Sequence, residues 1–324
     1  MALTAVGVQT LPVGTRLNPI VDITNQRIMR VRKQSILPRI AVIKPAASCG
    51  ESMRIRHEYA GSVGGTQWLS DGGKLKPVNL TIPKEVVFTV GDRLGWAVRV
   101  DSCVYEKIMK YDKALISEVV EYHNQETLQA FDQRAIYRIM AEASRHNVGK
   151  KAGFATHIYD LGTEVAPIEI TQKRVWAQVK LPKHVLDEQQ IGFGSKPYVL
   201  YFGGLMDYVS NNDRLAAYYM NGKCHVCVEG GTWYDMRDVD GIDYIRHSCL
   251  PFKTNAQSEV ISPFIFGVRE ALWASLKMSM NKKMGVVGDD AHYLETYWDF
   301  GLRLIEPRMV GVGWMRIPLY TGDQ

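Results

Sequence analysis

The sequence predicts an α+β fold organised around one long helix, with segments before it that extend beyond a compact body. Three observations predict this. From Ala97 to Val148 there is no Gly or Pro in 52 residues, whereas the chain average of 28 Gly and 13 Pro in 324 would put about seven there. Beyond that stretch, short apolar runs and short amphipathic runs alternate without a βαβα rhythm and without an internal repeat. Before it lie a proline-punctuated basic segment and a glycine-rich one.

Residues 1–47 contain Arg16, Arg27, Arg30, Arg32, Lys33, Arg39 and Lys44 against a single acid, Asp22, a balance of +6. The whole chain carries +5, so the other 277 residues are close to neutral. Pro12, Pro19, Pro38 and Pro45 discourage helix, and the segment reads as an extended basic arm. Its expected partner is a nucleic-acid backbone or the acidic surface of a neighbouring subunit; the plain alternative is a solvated terminal strand.

Residues 48–92 read as a long hairpin. Met53, Ile55 and Tyr59 alternate with Arg54, Arg56 and Glu58, and Val78, Leu80 and Ile82 alternate on the return. Between them Gly61, Gly64, Gly65, Gly72 and Gly73 leave too little side chain to pack a core, so the tip is expected to project into solvent or onto a partner.

The long helix follows. Val104, Ile108, Tyr111, Leu115, Val119 and Tyr122 keep 3–4 spacing on one face, and Leu128, Phe131, Ala135 and Ile139 resume it after a phase slip near Asn124, which predicts a kink or two abutting helices. Asp101 or Ser102 suits the N-cap, and Gly149 suits the stop after Asn147. About 40 helical residues would span roughly 60 Å, more than a compact domain of this size needs. Its charged faces mix signs from Glu106 to Glu121, an ordinary solvated pattern.

After it, Val175–Val179 is a helix start or a strand, Lys183–Gln190 a short helix, Tyr198–Phe202 a buried strand and Asp207–Met220 a polar helix. Val226–Val228 and Ile242–Ile245 are short strands. A helix is expected around Val268–Met280, then strands near Tyr293–Leu304 and Val310–Ile317.

Composition bounds the function. Hydrophobic residues at 46% and charged residues at 23% are globular values and exclude wholesale disorder, collagen and coiled-coil fibre. The best apolar run, Tyr198 to Met206, has nine residues against the roughly 18 of a membrane span, so no membrane partner is expected. No positive charge precedes Arg16, which argues against a secretory signal, and five irregularly spaced cysteines suit a reducing cytosol.

Catalytic and metal patterns are thin. Cys224, His225 and Cys227 with His247 and Cys249 have zinc-type donors but lack a second well-spaced pair, and buried or half-buried strand positions fit them better. Asp289, Asp290 and His292 read as a solvated turn, and Glu295, Asp299 and Glu306 as surface charges. Gly192, Gly194 and Ser195 lack the Lys-Ser/Thr of a phosphate loop, and no dinucleotide fingerprint or nucleophile elbow occurs. The expectation is a non-enzyme without metal or cofactor.

The order of elements resembles the major capsid protein of tailed bacteriophages, the HK97-like fold shared with encapsulin shells. The resemblance rests on the run from Leu186-Asp187-Glu188 to Tyr198-Val199-Leu200-Tyr201 with Tyr208 and Leu215, and on Gly222 to Pro251 with Gly241 and Leu250-Pro251. It rests also on Pro263 to Gly267 with Glu270-Ala271, on Tyr297 to Gly301, and on Gly311 to Ile317. It implies an N-arm over 1–47, an E-loop hairpin over 48–92, a peripheral domain over 93–190 carrying the spine helix and completed by about 300–324, and an axial domain over 191–299. A fused helical scaffold segment is missing, so any scaffold would be a separate protein.

The resemblance implies self-assembly into hexamers and pentamers of an icosahedral shell around double-stranded DNA, assembled in the host cytoplasm. It allows separate scaffolding, portal and decoration proteins, and packaged DNA met through non-specific contact. Inter-subunit contacts are then expected from Arg27, Arg30, Arg32 and Lys33 in the arm and from Arg54, Arg56, Gly64 and Gly65 in the hairpin. Competing readings are an encapsulin compartment, a soluble enzyme with a deep pocket, and a DNA binder acting through the arm alone.

Overall fold

The computed structural model describes residues 35–44, 49–56, 85–111, 114–171, 173–189, 196–205, 208, 225–229, 232–239, 241–247, 249–284 and 291–318. Two β-sheets and one long helix organise them. In chain order the first elements are α1 (Leu37–Ile40), β1 (Val42–Lys44), β2 (Ser52–Arg56), β3 (Glu85–Thr89) and β4 (Asp92–Asp101), followed by α2 (Ser102–Tyr111) and α3 (Ala114–Glu142). A 3₁₀ turn (Arg145–Asn147), β5 (Ile168–Glu169), α4 (Val175–Glu188) and β6 (Tyr198–Tyr201) come next. Then come β7 (His225–Glu229), β8 (Thr232–Val239), β9 (Ile242–Arg246), β10 (Lys253–Thr254) and β11 (Val260–Gly267). The chain closes with β12 (Leu272–Met284), β13 (Ala291–Leu304) and β14 (Val310–Ile317).

The four-stranded sheet runs β1-β12-β13-β4, and the eight-stranded sheet runs β5-β14-β11-β6-β9-β8-β7 with β10 beside β11. β2 and β3 form a separate two-stranded ribbon. Thus β12 and β13 lie between the edge strands β1 and β4, and β14 lies in the sheet that contains β6 and β9.

Strand alternation explains the layers. Along β6, Val199 and Tyr201 join one core with Val175, Val179, Val185 and Leu186 of α4, while Tyr198 and Leu200 join a second core on the opposite face. All four residues are buried, which is why this segment reads as a continuous apolar run. The second core holds Phe131, Ala135, Ile136 and Ile139 of α3, Leu37 and Ile40 of α1, and Leu272, Ala274 and Phe300 of the four-stranded sheet. The C-terminal half of α3 therefore shares one core with both sheets. Burying Phe131, Ile136 and Ile139 contributes about 5–9 kcal/mol. Opposite Phe264 and Phe266 on β11 stand Gly313 and Gly311 of β14, and the rings fill the space a Cβ would need.

Several expectations meet a different structure. The breaker-free stretch begins as strand, because Ala97–Asp101 belongs to β4, where it pairs with β13; absence of Gly and Pro excludes turns, not strands. α3 runs unbroken through Asn124, whose side-chain oxygen accepts from the indole N–H groups of Trp96 and Trp298, both at 3.2 Å. The phase slip marks a polar contact with the sheet. Gly149 follows the 3₁₀ turn in the left-handed region (φ +77°), with α3 already ended at Glu142. α4 is a single helix with Pro182 inside it: Val175–Val179, read as a helix start or a strand, is the start of the helix whose end was read as a short helix over Lys183–Gln190.

The helix expected over Val268–Met280 is a 3₁₀ turn at Arg269–Ala271 followed by strand β12. Leu, Ala, Lys and Met favour helix, but Leu272, Ala274, Leu276 and Met278 also alternate, and thirteen register pairs with β13 outweigh the local preference. Strands near Tyr293–Leu304 and Val310–Ile317 stand where expected. The glycine-rich tip and Val78, Leu80 and Ile82 lie outside the described residues, as does Asp207–Met220 apart from Tyr208.

Candidate assembly surface: the roots of the arm and the hairpin

The described chain begins where the basic segment joins the body, and that junction is tied to the long helix. Asp132, completely buried on α3, accepts from Ser35 Oγ at 2.7 Å, Leu37 N at 3.1 Å and Ile36 N at 3.1 Å. These are orphan donors at the start of α1, so the carboxylate of one helix caps another that lies 95 residues away in sequence. His247 Nε2 stands 3.6 Å from the same carboxylate, and His247 Nδ1 accepts from Cys249 N at 3.3 Å. Beyond α1, Arg269 Nε donates to Ala41 O at 2.9 Å, and β1 pairs in parallel with β12 through Val42–Trp273, Ile43–Ala274 and Lys44–Ser275. Lys44 Nζ lies 3.5 Å above the Trp273 ring.

The hairpin is rooted at the other edge of the same sheet. β2 pairs with β3 from Ser52–Thr89 to Arg56–Glu85, and Gly50 and Glu51 exchange backbone hydrogen bonds with Val90. Phe88 and Val90 are buried beside Trp273 and Ile305, and Gly301 leaves them room: a Cβ there would stand 3.0 Å from Phe88 Cζ and 3.1 Å from Val90 Cα. Arg93 Nε and Nη2 donate to the two oxygens of Asp299 at 2.6 and 3.2 Å. Those hydrogen bonds hold the Asp299 carboxyl below its ordinary value, against burial, with Cys49 N as a further donor.

Asp299 is thus 4% exposed, and its reading as a surface charge is corrected: a buried carboxylate on β13 is satisfied by Arg93 of β4 directly opposite. Glu306 is also engaged, capping the turn at Pro307–Met309 and pairing with Arg308. Glu295 accepts from Tyr297 Oη at 3.1 Å.

Arg54 and Arg56 lie on β2, opposite Val87 and Glu85. Arg27, Arg30, Arg32, Lys33, Gly64 and Gly65 lie outside the described residues, as do Cys224, Asp289, Asp290, Gly192, Gly194 and Ser195. His225 and Cys227 are on β7, and His292 stacks on Tyr105 with centroids 4.0 Å apart. Among the described residues no three His, Cys, Asp or Glu side chains gather to hold a metal ion. An apolar cavity of about 30 Å³ lies between α4 and the sheet, lined by Ile170, Val179, Val199, Tyr244, Phe264 and Met315, which is room for one water.

Sequence reasoning missed Asp132. The signal was present: it sits four residues after Leu128 and four before Ile136, an acid inside the apolar stripe, which needs a partner. That partner, the start of α1, is 95 residues distant in sequence and invisible to local pattern.

The chain, whose long helix shares a core with two sheets, has the fold of solved phage capsid chains. Among solved structures it is similar to the capsid of cyanophage P-SCSP1u, at 16% identity over 88% of this chain and 89% of that one, TM-score 0.56. A chain of Mycobacterium phage Che8 matches at 9% identity over 88% and 93%, TM-score 0.56. The capsid asymmetric unit of cyanophage Pam1 matches at 10% over 90% and 94%, TM-score 0.54. No protein-family model and no curated protein matches the sequence.

Proposed function

We propose that this chain is a structural shell subunit: a major capsid protein that self-assembles into the icosahedral shell enclosing the double-stranded DNA genome of a tailed phage. The observation that carries this reading is the shared fold, which extends over about nine-tenths of both chains in each of three phage structures. On this reading α3 is the spine helix, residues 1–47 the N-arm and residues 48–92 the E-loop. Residues 93–190, completed by about 300–324, form the peripheral domain, and residues 191–299 form the axial domain. The role is structural and non-catalytic.

The arm and the hairpin reach past the subunit's own body, so that area is buried against neighbours and many weak contacts add to a stable lattice. Arg27, Arg30, Arg32 and Lys33 contact neighbouring subunits or packaged DNA, where phosphate neutralisation is independent of sequence; Arg54, Arg56, Gly64 and Gly65 contact neighbours. Hexamers and pentamers of the chain form the shell in the host cytoplasm. Separate scaffolding, portal and decoration proteins are its further partners.

Negative-stain electron microscopy with light scattering tests this, on the protein alone and co-expressed with the neighbouring genes of its source. Closed shells, tubes or sheets are expected, and DNA rather than protein cargo inside separates a virion from an encapsulin. A stable monomer or dimer in both preparations overturns the reading. Changing Arg27, Arg30, Arg32 and Lys33 together to Ala lowers particle yield; normal yield removes the arm from the assembly contacts.

A further inference from the structure

The loop after α3 keeps large apolar side chains in solvent while its backbone is firmly held. Ala152 and Tyr159 close it as a two-residue bridge, and Gly153 N donates to His146 O at 2.8 Å. The Glu188 carboxylate on α4 accepts from Ala155 N at 3.2 Å, Thr156 N at 3.3 Å and Thr156 Oγ at 2.5 Å. Burial would raise that carboxyl, but these hydrogen bonds outweigh it and hold it below its ordinary value. His157 sits at φ +53°, a left-handed conformation held in place by the contacts around it. Within this frame Phe154 is 49% exposed and Ile158 is 69% exposed. A preformed loop showing apolar side chains has already met the ordering cost of docking.

Charge identifies what it docks on. Residues 145–159 contain Arg145, Lys150 and Lys151 and no acid. Along α3, residues 114–133 contain no Lys or Arg; Glu121 and Glu126 are exposed there, and Tyr122 between them is 43% exposed. From Glu121 to the end of α3 at Glu142 the helix rises about 30 Å, so the basic loop and the acidic half cannot meet within one subunit. Complementary patches far apart on one body make a head-to-tail contact between copies, which closes into a ring when the rotation between successive copies closes.

We propose that the 145–159 loop of one copy docks on the Glu121–Glu126 face of α3 of a second copy, with Phe154 and Ile158 against Tyr122 and Lys150 and Lys151 against the glutamates. The inference rests on the shell reading and names one contact that builds it.

The test is a charge swap in the full chain, read as particle yield at fixed protein concentration. Lys150→Glu with Lys151→Glu, and separately Glu121→Lys with Glu126→Lys, each lower the yield about tenfold; combining all four restores it to within about twofold. Ile158→Asp lowers the yield as well, and no charge change rescues it. Wild-type yield from either charge pair, or no recovery in the combination, overturns the contact. So does a loss confined to the DNA content of normally formed particles, which would turn the loop towards nucleic acid. If the wild-type chain forms no particle, the shell reading itself falls and the contact falls with it, an outcome distinct from the others.

Discussion

Replacing Asp132 by Ala would release the start of α1 from α3. The substitution removes three hydrogen bonds, of 2.7, 3.1 and 3.1 Å; it leaves the Ile36 N–H inside the core without an acceptor and the Leu37 N–H with Ser35 Oγ alone, at 3.2 Å. An unsatisfied buried donor costs about 1–3 kcal/mol, so the Ile36 N–H and the small cavity together cost about 2–4 kcal/mol. That is a large share of the roughly 5–15 kcal/mol that holds a domain together. Ser35→Ala is the control: Asp132 keeps both backbone donors, and the cost falls to about 1 kcal/mol. Urea denaturation gives the stability, and amide exchange at Ile36 and Leu37 with limited proteolysis of the arm root gives its location. Unchanged stability in Asp132→Ala, with both amides still protected, would refute the capping role.

At the hairpin root, Asp299→Asn should remove an acid-side loss of stability. A carboxyl held low in the folded state stabilises fully above its ordinary range near pH 4, and that contribution is lost as pH falls through the lowered value; urea midpoints of variant and wild type should therefore converge in acid, and parallel curves would refute it. Asn147, fully buried, donates to Arg308 O at 2.6 Å and Val310 O at 2.8 Å and accepts from Gln189 Nε2 at 2.9 Å. Asn147→Asp places acceptor against acceptor and should cost about 2–4 kcal/mol in thermal or urea melts, more than Asn147→Ala at about 1–3 kcal/mol. Gly311→Ala would press a methyl group into the Phe266 ring and within 2.7 Å of Asn147 O, costing about 1–3 kcal/mol in the same melts.

Much of the architecture was legible because local pattern and tertiary demand agree. β6 reads as a buried run because both its faces are covered, and β13 and β14 read as strands from their own alternation. Phe131, Ala135 and Ile139 declare the core face of α3 at helical spacing. Where the two disagree the reading fails. β12 is written in helix-forming residues and is strand because β13 and β1 flank it, a fact held 20 and 230 residues away. The end of β4, Ala97–Asp101, hides in the breaker-free stretch for the same reason. Of the candidate surface, the excess of arginine and the glycine-rich tip are visible in composition. Its anchors, Asp132 with Ser35 and Asp299 with Arg93, join residues 97 and 206 positions apart and leave no periodic trace.

The sheet that roots both the arm and the hairpin is mechanically graded. Its ladders hold three register pairs between β1 and β12, thirteen between β12 and β13, and ten between β13 and β4. Tension fed in through the arm meets the Asp132 cap at Ser35–Leu37 first, and behind it the shortest ladder, which carries the load along the strand direction in shear. The long ladders behind it share the same force over many bonds. Under strain the arm root yields before the plate does, so a stretched subunit slackens its tether and keeps its shape.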